Sequence, residues 1–143
     1  MSRLMALDIG QKRTGIAITD VERIIATGLT TVKTKDLEAY LAEYLSKNDV
    51  ETIVVGLPMQ LNNTESESVK YIKPQFNRLR KVFSNISFVY YDERFTSKLS
   101  HDAMLMGGLK KKARQNKELV DQTSAVLILQ GYMDYIENAN KNS

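Results

Sequence analysis

Leu4-Met5-Ala6-Leu7-Asp8-Ile9-Gly10-Gln11-Lys12-Arg13-Thr14-Gly15-Ile16-Ala17 sets two apolar stretches on either side of a polar turn bounded by glycines. That pattern predicts strands over residues 3–9 and 14–20 joined by a turn over 10–15, and Ile24 to Val32 reads as a third strand. Connections this short give an antiparallel meander. Asp8 would end the first strand, where alternation sets its side chain opposite to those of Leu7 and Ile9. A carboxylate beside core-forming residues loses solvation unless something positive compensates it. As a single residue it is equally well a turn aspartate ahead of Gly10.

Downstream, the apolar spacing changes from two to the helical repeat. Leu37, Tyr40, Leu41, Tyr44 and Leu45 make one stripe of a helix from Asp36 to about Asn48. Thr52-Ile53-Val54-Val55-Gly56 is a short apolar strand of the type buried on both faces in parallel pairing. Thr64-Glu65-Ser66-Glu67 fits a capping box, with Val69, Ile72, Phe76, Leu79 and Phe83 following at helical spacing. Pro74 interrupts that run, but the stripe keeps its phase on both sides, which predicts a kink and not two helices. Ser87 to Tyr91 reads as a fifth strand, Thr96 or Ser97 as the cap of a helix reaching about Met106, and Glu118 to Glu137 as the last helix. The order βββαβαβαα predicts an α/β fold: a five-stranded mixed sheet with helices on both faces, in one domain over residues 1–143. It resembles the plan of ribonuclease H-like domains.

At 143 residues, with 43% hydrophobic and 26% charged residues, the chain has the make-up of one globular domain. Its apolar runs fall short of the roughly 20 residues that span a bilayer, and an acid at position 8 precedes any export signal of secretory length. No membrane association and a cytoplasmic location are expected. Having no cysteine, the chain can form neither disulfides nor a thiolate metal site. The formal net charge of +3 is mild, but its distribution is uneven. Lys110, Lys111, Lys112, Arg114 and Lys117 crowd one stretch after Gly107-Gly108, while Lys12-Arg13 and Arg94 lie near acids. Positive charge close to an acidic centre suits a substrate that is itself anionic, such as a phosphodiester backbone.

Two further acids sit in apolar frames. Asp121 opens the last helix on a stripe shared with Ala125, Ile128 and Tyr132, where a carboxylate is also favoured by the helix dipole. Glu93 closes Phe88-Val89-Tyr90-Tyr91-Asp92-Glu93, with Asp92 as its rival: neighbours on a strand point to opposite faces, so one of the two joins Asp8. Spacing alone does not choose between them. Three acids in such frames suggest a site for a hard divalent cation, which takes oxygen ligands.

Tyr91-Asp92-Glu93-Arg94-Phe95-Thr96-Ser97 resembles the Asp-Glu-Arg-Leu-Thr-Thr motif of the YqgF/RuvX family, bacterial proteins described as Holliday junction resolvases and as processing the small-subunit ribosomal RNA precursor. Leu7 to Ala17 resembles the family's opening block, Gly56-Leu57-Pro58 its second, and Asp121 to Gln130 its closing helix, in order and over nearly the whole chain. The resemblance implies a metal-dependent nuclease in which Asp8, Glu93 and Asp121 are catalytic and coordinate Mg²⁺ or Mn²⁺. It implies nucleic-acid substrates, ribosomal RNA precursor or branched DNA, and it allows for a homodimer. Lys12, Arg13, Arg94, Lys110, Lys111 and Lys112 are the candidate phosphate contacts; their plain alternative is a solvated turn, a local ion pair and a solvated loop. Ser124 stands where the similar junction-resolving nucleases carry a fourth acid, and a hydroxyl is the weaker cation ligand. Gly10 and Gly56 would let substrate approach the backbone. His101 reads as a surface residue, and of Tyr90 and Tyr91 only one is free to face a base.

Overall fold

The opening segment does form a strand, Arg3–Ile9 (β1), and it lies at the centre of the sheet. The computed structural model describes residues 2–58, 67–92 and 117–141, with side chains in the last helix described from Gln122 to Glu137. Strands Arg13–Thr19 (β2) and Ala26–Lys33 (β3) complete the antiparallel meander, and Val50–Leu57 (β4) and Ser87–Asp92 (β5) add in parallel on the other side of β1. The strand order is β3-β2-β1-β4-β5, a five-stranded mixed sheet. β4 is buried from Thr52 to Gly56, as an apolar strand covered on both faces should be.

Alternation along β1 sorts the core into two layers. Met5, Leu7 and Ile9 face the helices Leu37–Lys47 (α1) and Val69–Val82 (α2), meeting Leu37, Leu41, Ile72, Phe76 and Leu79. Leu4 and Ala6 face the opposite way, toward Ala125, Ile128 and Leu129 of the last helix, Lys117–Lys141 (α3). Helices therefore cover both faces. α2 runs unbroken with Pro74 inside it, one helix as its apolar phase predicts. Its Phe76 ring stacks on Tyr90 at 3.9 Å and meets Phe88 edge-on at 5.9 Å. Tyr90, half-buried, is thus packed against α2, and Tyr91, 5% exposed, lies under α3.

α3 crosses the sheet. A Cβ placed on Gly28 of β3 would lie 3.1 Å from Gln122 Oε1, and one placed on Gly131 would lie 2.5 Å from the Tyr91 hydroxyl of β5. Small residues at 28 and 131 let the helix approach the two outer strands closely. The third strand begins at Ala26 instead of the expected Ile24, for a local reason. The Asp20 carboxylate accepts hydrogen bonds from the backbone N–H of Ile24 at 2.7 Å and of Ile25 at 3.0 Å, holding both residues in the turn. Those bonds, that from Ile25 first, also hold the Asp20 carboxyl below its ordinary pKa. Residues 64–66 of the capping box expected over Thr64 to Glu67, and the expected helix from Thr96 or Ser97 to Met106, lie outside the described residues; α2 itself begins at Val69, and Ser68 before it makes no side-chain capping hydrogen bond. Among the described residues no helix is long and apolar enough to cross a membrane.

Candidate active site

β1, β4 and β5 run parallel, so their C-terminal ends share one edge of the sheet, and Asp8 sits there. Because it follows Leu4 and Ala6 in alternation, its side chain lies on the α3 side, and it is half-buried. Its cross-strand partner on β2 is Gly15. On β4, one step beyond the Leu7–Val55 pair, comes Gly56, which is itself paired with Tyr91 of β5. Asp8 therefore has a glycine on each flank, and no neighbouring Cβ crowds its carboxylate from the side. A half-buried carboxylate with lateral room matches the needs of Mg²⁺, which takes oxygen ligands and keeps several of its waters.

Glu93 follows directly on the last residue of β5 and lies outside the described residues, as do Arg94, His101, Lys110, Lys111 and Lys112; the side chain of Asp121 is likewise outside them. Among the described residues no three Asp, Glu or His side chains gather as a metal site. The rival acid Asp92 is described. It continues the alternation of Phe88 and Tyr90, which pack on the α1 and α2 side, whereas Val89 and Tyr91 pack on the α3 side with Asp8. Ala125, four residues after Asp121, packs in the same layer as Ala6 and Ala17. Ser124 is half-buried.

The turn after Asp8 is held from two directions. Gly10 N–H donates to Arg13 O at 2.9 Å, and Thr34 N–H donates to Lys12 O at 2.9 Å. The Thr34 hydroxyl donates to Gly10 O at 2.7 Å and lies 2.9 Å from Thr14 Oγ1. Since Thr34 spends its one proton on Gly10, the buried Thr14 hydroxyl must be the donor between the two threonines. Thr34→Val removes the shared oxygen while keeping the shape, leaving Gly10 O and the Thr14 hydroxyl short of partners. A loss of about 1–2 kcal/mol is expected, read as a lower urea midpoint at unchanged slope. An unchanged midpoint would show that the hydroxyl does not tie the turn to β3.

Beside this turn lies a cleft of about 740 Å³ lined by Gln11, Lys12, Arg13, Thr31, Val32, Lys33 and Lys35. Lys12 is exposed and Arg13 half-buried. Lys33 and Lys35 were not among the residues that sequence spacing singled out. They stand 20 or more positions from Lys12 and Arg13, and only strand pairing, Arg13 with Lys33, brings them together. The signal available was the meander itself, which returns the end of the third strand to the first turn.

The family model described as "RuvX: Holliday junction resolvase" matches residues 2–135. A Phocaeicola vulgatus protein provisionally named a pre-16S rRNA nuclease is 56% identical over 134 residues, covering 94% of this chain and 96% of that protein. A Porphyromonas gingivalis protein of the same name is 48% identical, covering 94% of this chain and 97% of that one. Among solved structures, Thermus thermophilus RuvC in complex with a Holliday junction substrate superposes with a TM-score of 0.59 at 17% identity, over 94% of this chain and 96% of that one. Fowlpox virus resolvase with Holliday junction DNA superposes with a TM-score of 0.58 at 16% identity, over 94% and 98%. At these identities the two structures speak to the fold, which is ribonuclease H-like and shared with junction resolvases.

Proposed function

The chain belongs to the RuvX family, and from that membership we propose that it is a metal-dependent endonuclease that hydrolyses phosphodiester bonds in structured nucleic acid, with ribosomal RNA precursor as its substrate and 5′-end processing of pre-16S rRNA as its task in the cytoplasm. The observation that carries the reading is Asp8, half-buried at the parallel-strand edge between Gly15 and Gly56, in a chain matched over nearly its full length by relatives named for that activity.

Asp8, Glu93 and Asp121 are the proposed metal ligands and catalytic acids. Alternation supports Glu93 over Asp92: Asp92 has the parity of Phe88 and Tyr90, so the next residue along the chain has the parity of Tyr91 and of the Asp8 side. Asp121 is supported by its place one helical turn before Ala125, which packs on the Asp8 face. Bound divalent ions in such sites stabilise the attacking and leaving oxygens of an in-line displacement. The chain's own contribution is to fix carboxylates on a rigid strand and helix, and to meet substrate phosphates with Lys12, Arg13, Arg94, Lys110, Lys111 and Lys112. Ser124 would offer only a neutral oxygen where a fourth acid would stand, and would hold a divalent ion more weakly than a carboxylate.

A second reading, resolution of four-way DNA junctions, is favoured by the shared architecture with the two resolvases and needs a homodimer to cut two strands symmetrically. The test offers the purified protein a labelled precursor rRNA fragment and a four-way DNA junction, each with Mg²⁺, with Mn²⁺ and with EDTA. Cleavage of the RNA that requires metal is expected. Symmetric cutting of the junction alone would move the substrate to DNA; cutting that persists in EDTA would overturn the metal site; binding without cutting under any condition would leave a non-catalytic nucleic-acid module.

A further inference from the structure

We infer that the cleft beside the first turn is a clamp for the phosphate backbone of the bound strand, in which Lys33 and Lys35 act together with Lys12 and Arg13. The inference rests on the nuclease reading and adds to it a second place, beyond the metal-binding edge, where the nucleic acid is held.

Four cations and no acid line the cleft. Asp36 follows Lys35 in the chain but is not part of the lining. Arg13 and Lys33 are direct antiparallel partners, so the strand register itself brings these two cations together. Four cations elsewhere are paired: Arg23 with Glu51, Arg78 with Glu38, Lys47 with Glu43 and Lys70 with Glu67. Among the described residues, Lys12, Lys33 and Lys35 take part in no such ion pair. Three such lysines in one groove are what a polyanion compensates on binding, releasing counterions as it does so.

The groove is also held in register with the candidate active site. Its turn begins two residues after Asp8, and Thr34, the residue that bonds to Gly10 and Lys12, lies between Lys33 and Lys35. Lysines flanking the tie point cannot drift far from Asp8 without breaking those bonds. A strand gripped here is therefore presented to the parallel-strand edge at a fixed offset. Six of the seven lining residues are polar or charged, and repeated phosphates would meet cations from the turn before β2, the start of β2, the end of β3 and the residues just after it.

The experiment compares three full-length proteins in EDTA, so that binding is read without cleavage: wild type, Lys33→Gln/Lys35→Gln, and Lys70→Gln/Lys81→Gln, which loses the same charge from α2. Affinity for a labelled precursor rRNA fragment and for a four-way DNA junction is followed from about 50 to 200 mM salt. For the cleft variant the expected result is a fall in affinity on the order of tenfold and a log–log salt slope shallower by about 1–2, one phosphate contact being worth roughly 0.9. The α2 variant should keep the wild-type slope. A loss on RNA alone, or on the junction alone, supports the clamp and identifies the strand it holds. Equal slopes for the cleft variant and wild type overturn the clamp and leave the nuclease reading standing. Wild type that binds neither probe in a salt-dependent way overturns both.

Discussion

Asp8→Asn is expected to lower the cleavage rate by on the order of 10²–10³-fold, the scale on which removal of one preorganised charge-stabilising group acts. Asn keeps the shape and one acceptor oxygen, so the loss falls on the negative charge that would attract and orient a divalent ion. The same substitution should change the metal-free unfolding temperature little, because it conserves the volume of a half-buried side chain. A second readout separates a ligand from a bystander. Mg²⁺ should raise the melting temperature of wild type by mass action and leave that of Asp8→Asn where it was. Asp92→Asn is the natural comparison, since Asp92 has the parity of the α1 and α2 side, and it should retain both cleavage and the Mg²⁺-dependent shift. Wild-type cleavage by Asp8→Asn would remove the active-site assignment, whatever the family.

How far such a site can be read from sequence depends on which interactions define it. The meander, the parallel additions and the two-faced helical cover were legible because each follows from a repeat: two along Leu4 to Ile9, continuous apolarity from Ile53 to Val55, and three to four along α2. The start of β3 was not legible, because Ile24 and Ile25 have strong strand propensity. Nothing in that propensity reveals that the Asp20 carboxylate captures both of their N–H groups. The two isoleucines end 64% and 60% exposed, the reverse of what their type predicts.

The site divides along the same line. Asp8 could be nominated from its frame, since a carboxylate between Leu7 and Ile9 must lie on the opposite face. The choice between Asp92 and Glu93 could not be made from spacing, because alternation separates the two without saying which face of β5 meets α3. Which face of β5 meets α3 is set by tertiary packing, with Tyr91 beneath Gly131 and Tyr90 against Phe76. The row Gly15, Asp8, Gly56 was equally hidden. Its members are distant in sequence, and only register puts them side by side. Gly56, where the sequence would let substrate approach the backbone, is the residue that register sets beside Asp8 on β4. The Lys33 and Lys35 side of the cleft needed the β2–β3 pairing as well.

Gly10→Ala is expected to destabilise the protein by about 2–3 kcal/mol, more than the usual cost of one added methyl, and to weaken cleavage and nucleic-acid binding together. A Cβ on Gly10 would lie 2.5 Å from Arg13 O, and that oxygen is backbone, unable to swing aside as a side-chain tip can. The same oxygen accepts the Gly10 N–H at 2.9 Å, so relieving the clash means lengthening or breaking the bond that closes the turn. Gly10 O cannot move freely either, because Thr34 Oγ1 holds it at 2.7 Å. Whichever bond yields, the displacement reaches Lys12 and Arg13 in one direction and Asp8, two residues upstream, in the other. A fall in melting temperature of roughly 5–10 °C is expected for a chain of this size, with the affinity for RNA reduced alongside it. Thr34→Val provides the calibration: it removes the tie while adding no clash, so it should cost less in stability and disturb Asp8 less. If Gly10→Ala melts with wild type and cleaves at the wild-type rate, the turn has enough slack to absorb a methyl group. Asp8 and the cationic cleft would then not be mechanically joined, and the fixed offset between them would have to be abandoned.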